Sequence, residues 1–171
     1  MPEICQIIIA DDHDFLRKGL KLILGFDDHI RIIGEAGDGH SLMNLLEGGV
    51  VPDLLILDLS MPRLTGIEAL RAIRHKGFAF KVLVLTLHKE PEFLCESLCA
   101  GANGYILKDA MAKEIFPALQ SLLGETLYIS PALAQELPQT CRIRMAAQQS
   151  VSFSSIEHCE KYPAKSLLSS L

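Results

Sequence analysis

Five short apolar runs recur along the first two thirds of the chain, and they limit its fold more than any other feature. They span residues 7–9, 30–34, 54–57, 82–85 and 105–107. Continuous apolar runs of this length are typical of strands buried on both faces, as in a parallel sheet. Segments with helical spacing separate the runs, and Phe15, Leu20 and Leu24 are expected on one buried helix face. The alternation predicts an α/β fold with a doubly wound, five-stranded parallel sheet and five helices.

The pattern changes along the chain and suggests how its 171 residues are organised. Residues 1–125 hold all five strand–helix units and are expected to form one domain. Residues 126–138 contain two X-Pro steps, at Pro131 and Pro138, and are interpreted as a linker. Residues 139–171 include seven serines and no apolar run, so a poorly ordered tail is predicted there.

Composition and charge disfavour two classes of function. Residues 1–138 carry 12 basic and 19 acidic side chains, so this part is not expected to bind nucleic acid. No apolar stretch reaches the roughly 20 residues of a membrane-spanning helix, and the first residues lack the layout of a secretion signal. The chain is therefore interpreted as a soluble, cytoplasmic protein without a membrane partner.

Polar side chains follow four of the five runs, where each strand is expected to end. Asp11 and Asp12 follow the first run, and Asp58 follows the third. Thr86 follows the fourth run and Lys108 the fifth. Because the carboxyl ends of parallel strands share one edge of the sheet, these side chains are expected to meet in one crevice. A protonated carboxyl pair could relieve the repulsion there, but Mg²⁺ fits better, with Lys108 and Thr86 facing the oxygens of a phosphoryl group.

Each of these residues also has a purely structural explanation. A single Asp after a strand most often caps a helix or forms a turn. Asp14 and Asp38 are interpreted as caps or surface residues. Thr86 could be an ordinary β-branched strand residue, and Lys108 could be a solvated loop residue. Their joint occurrence at four strand ends favours a site over these separate explanations.

The segments around these strand ends resemble a known family. The matching segments are Ile8-Ile9-Ala10-Asp11-Asp12-His13, Leu57-Asp58-Leu59-Ser60-Met61-Pro62, Gly66-Ile67-Glu68, Val84-Leu85-Thr86, Ala100-Gly101-Ala102 and Gly104-Tyr105-Ile106-Leu107-Lys108-Asp109-Ala110. Over residues 1–125 the chain resembles the receiver domain of bacterial two-component response regulators, in the branch with LuxR-like and NarL-like transcription regulators.

This resemblance implies a flavodoxin-like sheet in the order 2-1-3-4-5 and a role for each acidic residue. Asp58 would accept a phosphoryl group from the phosphohistidine of a sensor histidine kinase. The side chains of Asp12 and Asp58 and the backbone carbonyl of Ser60 would bind Mg²⁺, with Asp11 acting largely through water.

The resemblance also implies how the domain would switch. Thr86 and Lys108 would contact the phosphoryl oxygens, and the ring of Tyr105 would move together with Thr86. The small side chain of Ser60 leaves room for water, so a short-lived phosphoryl group is expected. A homodimer would form on phosphorylation. DNA would be bound only by a full-length form with a helix-turn-helix domain, which residues 139–171 do not provide.

Two other functions remain open at this point. A Mg²⁺-dependent phosphohydrolase could use Asp58 as its nucleophile, although such enzymes usually place a second acid where this chain has Ser60. A degenerate interaction module would need no phosphorylation site, and the intact acidic pair, Thr86 and Lys108 disfavour it. A phosphoacceptor signalling switch, rather than an enzyme, is therefore predicted.

Overall fold

A parallel sheet with helices on both faces forms the centre of the computed structural model, which describes residues 4–135. In chain order the elements are β1 (Cys5–Ala10), α1 (Asp14–Leu24), β2 (Ile30–Ala36), α2 (Gly39–Glu47), β3 (Leu54–Leu57), α3 (Gly66–His75), β4 (Lys81–Thr86), α4 (Pro91–Cys99), β5 (Gly104–Leu107), α5 (Met111–Leu123), β6 (Tyr128–Ile129) and α6 (Pro131–Ala134). The six strands lie in the order β2-β1-β3-β4-β5-β6. A short 3₁₀ turn at Lys108–Ala110 leads from β5 into α5.

Alternation of side chains along the strands divides the core into two layers. Ile8 and Leu55 lie in the layer covered by α2, α3 and α4, whereas Ile7 and Ile9 lie in the layer covered by α1 and α5. All four side chains are fully buried. Burial on both faces is why these strands read as continuous apolar runs rather than alternating ones. The predicted doubly wound α/β fold and its order β2-β1-β3-β4-β5 are confirmed.

The sheet has one strand more than the five predicted. Tyr128–Ile129 pairs in parallel with β5, and Leu133 in α6 is buried against the layer that contains Ile8. Both elements lie in residues 126–138, the stretch interpreted as a linker. A two-residue strand and a four-residue helix are too short to show a hydrophobic period, so the sequence pattern does not reveal them. Residues 136–138 and the predicted tail at 139–171 lie outside the described residues.

The prediction that Phe15 shares a buried face with Leu20 and Leu24 is wrong. Phe15 is 89% exposed, whereas the two leucines are fully buried. At 3.6 residues per turn, position 15 is rotated by about 140° from position 20 and about 180° from position 24. Phe15 therefore faces solvent.

The interpretation of Asp38 as a helix cap is confirmed. Its side chain accepts a hydrogen bond from the amide of Ser41 at 2.9 Å, at the start of α2. Asp14 is an exposed residue in the first turn of α1 and pairs with Lys18 at 2.6 Å. Within residues 4–135, no helix combines the length and the apolar character needed to cross a bilayer.

The junction between β3 and α3 is fixed by two local features. Thr65 and Glu68 form a reciprocal capping box, in which each side chain accepts a hydrogen bond from the other residue's amide. Gly66 closely approaches the preceding strand end, because a Cβ there would lie 2.0 Å from the carbonyl oxygen of Asp58. The first turn of α3 therefore packs directly against the backbone that carries Asp58.

Candidate functional site

Three ionisable side chains that are far apart in the chain meet at the carboxyl edge of the sheet. Nζ of Lys108 lies 2.7 Å from Oδ2 of Asp11 and 2.8 Å from Oδ2 of Asp58. The side chains of Asp11, Asp58 and Lys108 are 2%, 1% and 6% exposed. The structure thus brings together the ends of β1, β3 and β5 around a buried ion-paired cluster.

Backbone hydrogen bonds explain why the two aspartates share this space. The amide of Asp58 donates to the carbonyl of Ala10 at 2.8 Å, and that of Asp11 donates to the carbonyl of Ala36 at 3.0 Å. Each aspartate is therefore tied to the end of a neighbouring strand. Nη1 of Arg17 donates to the carbonyl oxygen of Asp11 at 2.6 Å, which holds the end of β1 from the side of α1.

Asp12 and His13 form the outer part of the cluster. The side chain of Asp12 is 33% exposed, and its Oδ1 lies 2.8 Å from Nδ1 of His13. The amide of His13 donates to Oδ1 of Asp11 at 2.8 Å. One potential ligand atom from each of Asp11, Asp12, His13 and Asp58 lies within 4.8 Å of the others. Sequence reasoning did not single out His13, although its position directly after the acidic pair could have suggested it.

Burial and charge act in opposite directions on the ionisation of this cluster. Burial raises the pKa of Asp58 and the charge of Asp11 raises it further, although hydrogen bonding to Lys108 counteracts part of this rise. Burial alone would lower the pKa of Lys108, but its contacts with Asp11 and Asp58 outweigh that effect and raise it. Lys108 therefore stays charged and compensates part of the acidic charge.

The donor set fits a hard divalent cation. Oδ1 of Asp58 is buried and has no hydrogen-bond partner among residues 4–135. A buried carboxylate oxygen without a partner is costly, and a single lysine cannot balance Asp11, Asp12 and Asp58. Mg²⁺ binds through one or two carboxylates and keeps several waters, as a half-open acidic cluster of this kind permits.

Thr86 and Tyr105 meet at the backbone of one residue, His88. Oγ1 of Thr86 accepts a hydrogen bond from the amide of His88 at 3.2 Å. The hydroxyl of Tyr105 donates to the carbonyl oxygen of the same residue at 2.9 Å. Both Thr86 and Tyr105 are fully buried, and burial raises the pKa of the Tyr105 hydroxyl well above its ordinary value.

The side chain of His88 connects the same region to Ser60 and to α4. Nε2 of His88 lies 2.8 Å from Oγ of Ser60. Its ring stacks on Phe93, with 4.0 Å between ring centroids and 20° between ring planes. Sequence reasoning missed His88, because the residue follows β4 on a loop and belongs to no hydrophobic period.

Comparison with known proteins agrees with this geometry. The protein-family model for the response regulator receiver domain matches residues 7–120 of this sequence. The chain is 31% identical over 144 residues to the transcriptional regulatory protein YdfI of Bacillus subtilis, covering 84% of this chain and 67% of YdfI. It is 32% identical over 147 residues to the nitrate/nitrite response regulator NarL of Escherichia coli, covering 86% of this chain and 68% of NarL.

Solved structures show the same architecture. The isolated receiver domain of RcsB from Salmonella enterica serovar Typhimurium, determined with the phosphomimetic BeF₃⁻, superimposes with a TM-score of 0.74 at 27% identity. The match covers 80% of this chain and 100% of that domain. The receiver domain of NarL from Mycobacterium tuberculosis gives a TM-score of 0.67 at 31% identity, covering 72% and 98% of the two chains.

This chain belongs to the response regulator receiver family. Its relatives place it among the NarL- and LuxR-type regulators of two-component systems, whose receiver domains act as signalling switches. The chain spans about two thirds of the length of the first of these relatives.

Proposed function

We propose that Asp58 is the phosphoacceptor of this domain and that it takes its phosphoryl group from a phosphohistidine of a sensor histidine kinase. The observation that carries the proposal is the buried contact of Lys108 with both Asp11 and Asp58. A lysine held at this point by carboxylates stands where a phosphoryl oxygen would need a positive charge. The family membership supports the same assignment.

The chemical step needs little from the protein beyond positioning and charge. A carboxylate oxygen of Asp58 attacks the phosphorus, and the phosphorus–nitrogen bond breaks. The leaving imidazole keeps the electron pair and takes up a proton from solvent. Lys108 would move its hydrogen bond from Asp58 to a phosphoryl oxygen, and the hydroxyl of Thr86 would donate to another. Mg²⁺, bound by Asp12, Asp58 and the backbone carbonyl of Ser60 with Asp11 acting through water, would neutralise the charge of the incoming group.

Phosphorylation would then act as a switch by shifting populations. The phosphoryl group adds about two negative charges and new hydrogen-bond acceptors at a site that Lys108 and Thr86 line. Thr86 and Tyr105 are linked through the backbone of His88, so a displacement of Thr86 toward the phosphoryl group would be transmitted to the aromatic ring. A preference of a few kcal/mol for one arrangement is enough to make it dominant.

The regulatory output would also depend on parts of the protein beyond the described residues. Response regulators of this type act in the cytoplasm, and a homodimer formed on phosphorylation would be the active species. The relatives are transcriptional regulators, so DNA binding would belong to a full-length form that carries a helix-turn-helix domain.

Intact-mass measurement tests the proposal directly. The full chain is incubated with phosphoramidate or acetyl phosphate in the presence of Mg²⁺, with Asp58→Asn as the matched control. A gain of one phosphoryl group per chain, labile in base and absent from Asp58→Asn, is expected. No gain in folded wild-type protein would refute the proposal, and rapid multiple turnover of a generic phosphoester would favour a hydrolase instead.

A further inference from the structure

A short segment made of β6 and α6, residues 128–134, covers the outer edge of β5 and is called the edge segment here. The amide of Tyr128 donates to the carbonyl of Asn103 at 3.3 Å, and the amide of Ser130 donates to the carbonyl of Tyr105 at 2.8 Å. Without the edge segment, β5 would be the last strand of the described sheet on this side, with unpaired backbone groups. The edge segment therefore completes the sheet next to the strand that carries Tyr105.

Ser130 fastens the edge segment to the rest of the domain. It is fully buried, and its carbonyl accepts hydrogen bonds from the amides of Leu133 at 2.9 Å and Ala134 at 3.1 Å. Its hydroxyl donates to Oε1 of Glu114 in α5 at 3.0 Å. Together with the bond from its amide to Tyr105, these contacts make Ser130 the residue that joins β5, α5 and α6.

This attachment is weak. The second carboxylate oxygen of Glu114, Oε2, is buried and has no hydrogen-bond partner in the part of the chain from 4 to 135. A carboxylate that gives up water for a single hydroxyl donor is costly to bury. Within residues 128–134, only Ser130 and Leu133 are buried. A short segment with so few buried side chains opens at a low cost in free energy.

Tyr105 connects the edge segment to the candidate site. Its hydroxyl donates to the carbonyl of His88 at 2.9 Å, whereas its own backbone carbonyl accepts from Ser130. Its ring lies in the same layer of the core as Leu133 of the edge segment. Because packed cores change between discrete arrangements, a displaced Tyr105 ring would disturb the packing in which Leu133 is docked.

We propose that phosphorylation of Asp58 releases the edge segment from β5, and that Ser130 and Glu114 are positioning residues that set how readily it is released. The inference rests on the proposed phosphoacceptor function, because the displacement of Tyr105 begins at that site. Residues 136–171 follow the edge segment directly in the chain. Its release therefore changes how the rest of the chain is joined to the domain, and this change carries the signal onward.

Two substitutions should change the release in opposite directions, read as amide hydrogen exchange at Tyr128, Leu133 and Ala134 in the full chain. Ser130→Ala leaves Glu114 without its donor, so these amides should exchange about fivefold faster than in wild type. In Glu114→Gln the side chain still accepts from Ser130 but no longer buries a charge, so exchange should be roughly threefold slower. Lys113→Ala, at the neighbouring exposed position on α5, should leave exchange unchanged.

The coupling to phosphorylation is measured on the same amides. The full chain is compared with and without phosphoramidate and Mg²⁺, and intact mass records the phosphoryl group in parallel. Amides within 128–134 should exchange at least about fivefold faster in the phosphorylated chain, whereas those of β1 should not change. Asp58→Asn should show no response to the donor.

Three outcomes would contradict the inference in distinguishable ways. A phosphorylated chain whose edge segment exchanges at the unphosphorylated rate would overturn the release and leave the phosphoacceptor function intact. Equal exchange in Ser130→Ala, Glu114→Gln and wild type would show that the hydrogen bond between the two side chains does not hold the segment. A folded chain that gains no phosphoryl group would contradict the phosphoacceptor function itself, and its unchanged mass identifies that case.

Discussion

Nζ of Lys108 lies 2.8 Å from Oδ2 of Asp58, across 50 positions of the chain. The same ammonium group lies 2.7 Å from Oδ2 of Asp11, and all three side chains are buried. One positive charge thus faces two buried carboxylates, with Asp12 adding a third at the rim. The acidic side chains of the cluster therefore outnumber its one lysine, and the effect of this excess on folding stability and on cation binding can be measured.

Replacement of Lys108 by alanine should separate metal binding from switching. The Lys108→Ala variant keeps its carboxylates and is expected to bind Mg²⁺, but it lacks the cation that would turn toward a phosphoryl oxygen. Loss of the lysine that contacts two buried carboxylates should also lower the free energy of unfolding by about 3 kcal/mol without metal. Phosphorylation-dependent dimerisation, measured by light scattering, should disappear. Wild-type dimerisation in this variant, with Lys76→Ala as the surface control, would refute the assignment of Lys108.

Magnesium should stabilise the folded chain through the acidic cluster. A ligand that binds only the folded state at ten times its Kd adds about 1.4 kcal/mol to the free energy of unfolding. Urea denaturation with and without Mg²⁺ measures this gain. Asp12→Asn should remove most of it, whereas Asp28→Asn, an exposed residue after α1, should not. Equal stabilisation of both variants would place the cation elsewhere.

The pH dependence of stability should reveal the strain at Asp58 in metal-free protein. Burial raises the pKa of Asp58 above its ordinary value of 3.8, so the folded state holds this proton more tightly than the unfolded state does. The stability that protonated Asp58 contributes is complete below the unfolded pKa and is lost as the pH rises through the folded one. The Asp58→Asn variant has no ionisable group at this position, so its stability does not fall in this way as the pH rises. The free energy of unfolding is measured in EDTA for both proteins, and Asp58→Asn should gain stability relative to wild type as the pH rises from about 3.5 toward neutrality. A stability difference that does not change with pH would argue against a raised pKa of Asp58.

Two glycine-to-alanine substitutions should have opposite effects. In Gly66→Ala the new Cβ would lie 2.0 Å from the carbonyl oxygen of Asp58, so the backbone must shift at the site. A loss of at least about 2 kcal/mol of unfolding free energy is expected. In Gly19→Ala, within α1, nothing lies within 4 Å of the new Cβ, and better helix propensity should add about 1 kcal/mol. Urea denaturation measures the free energy of unfolding of both variants. An unchanged free energy of unfolding in Gly66→Ala would mean that α3 does not pack closely against the backbone of Asp58.

Sequence patterns predict the features of this protein that follow from the regular geometry of helices and parallel strands. Runs such as residues 54–57 predict buried strands, and parallel strands necessarily bring Asp58 and Lys108 to one edge. β6 contains two residues, too few for a period, and only its pairing with β5 identifies it. The hydrogen bond between Ser60 and His88 depends on the path of two loops, which no periodicity encodes. Loop contacts of this kind therefore had to come from the structure.

The chemical identity of the phosphorylated residue is the most direct test of the account. The full chain is phosphorylated with phosphoramidate and Mg²⁺, treated with sodium borohydride, digested and sequenced by mass spectrometry. Borohydride reduces an acyl phosphate of aspartate to homoserine. Homoserine is expected at position 58 alone, and none is expected without the phosphodonor or in Asp58→Asn. Homoserine at Asp11 or Asp12 instead, or a phosphoryl group on a hydroxyl side chain that resists reduction, would contradict it.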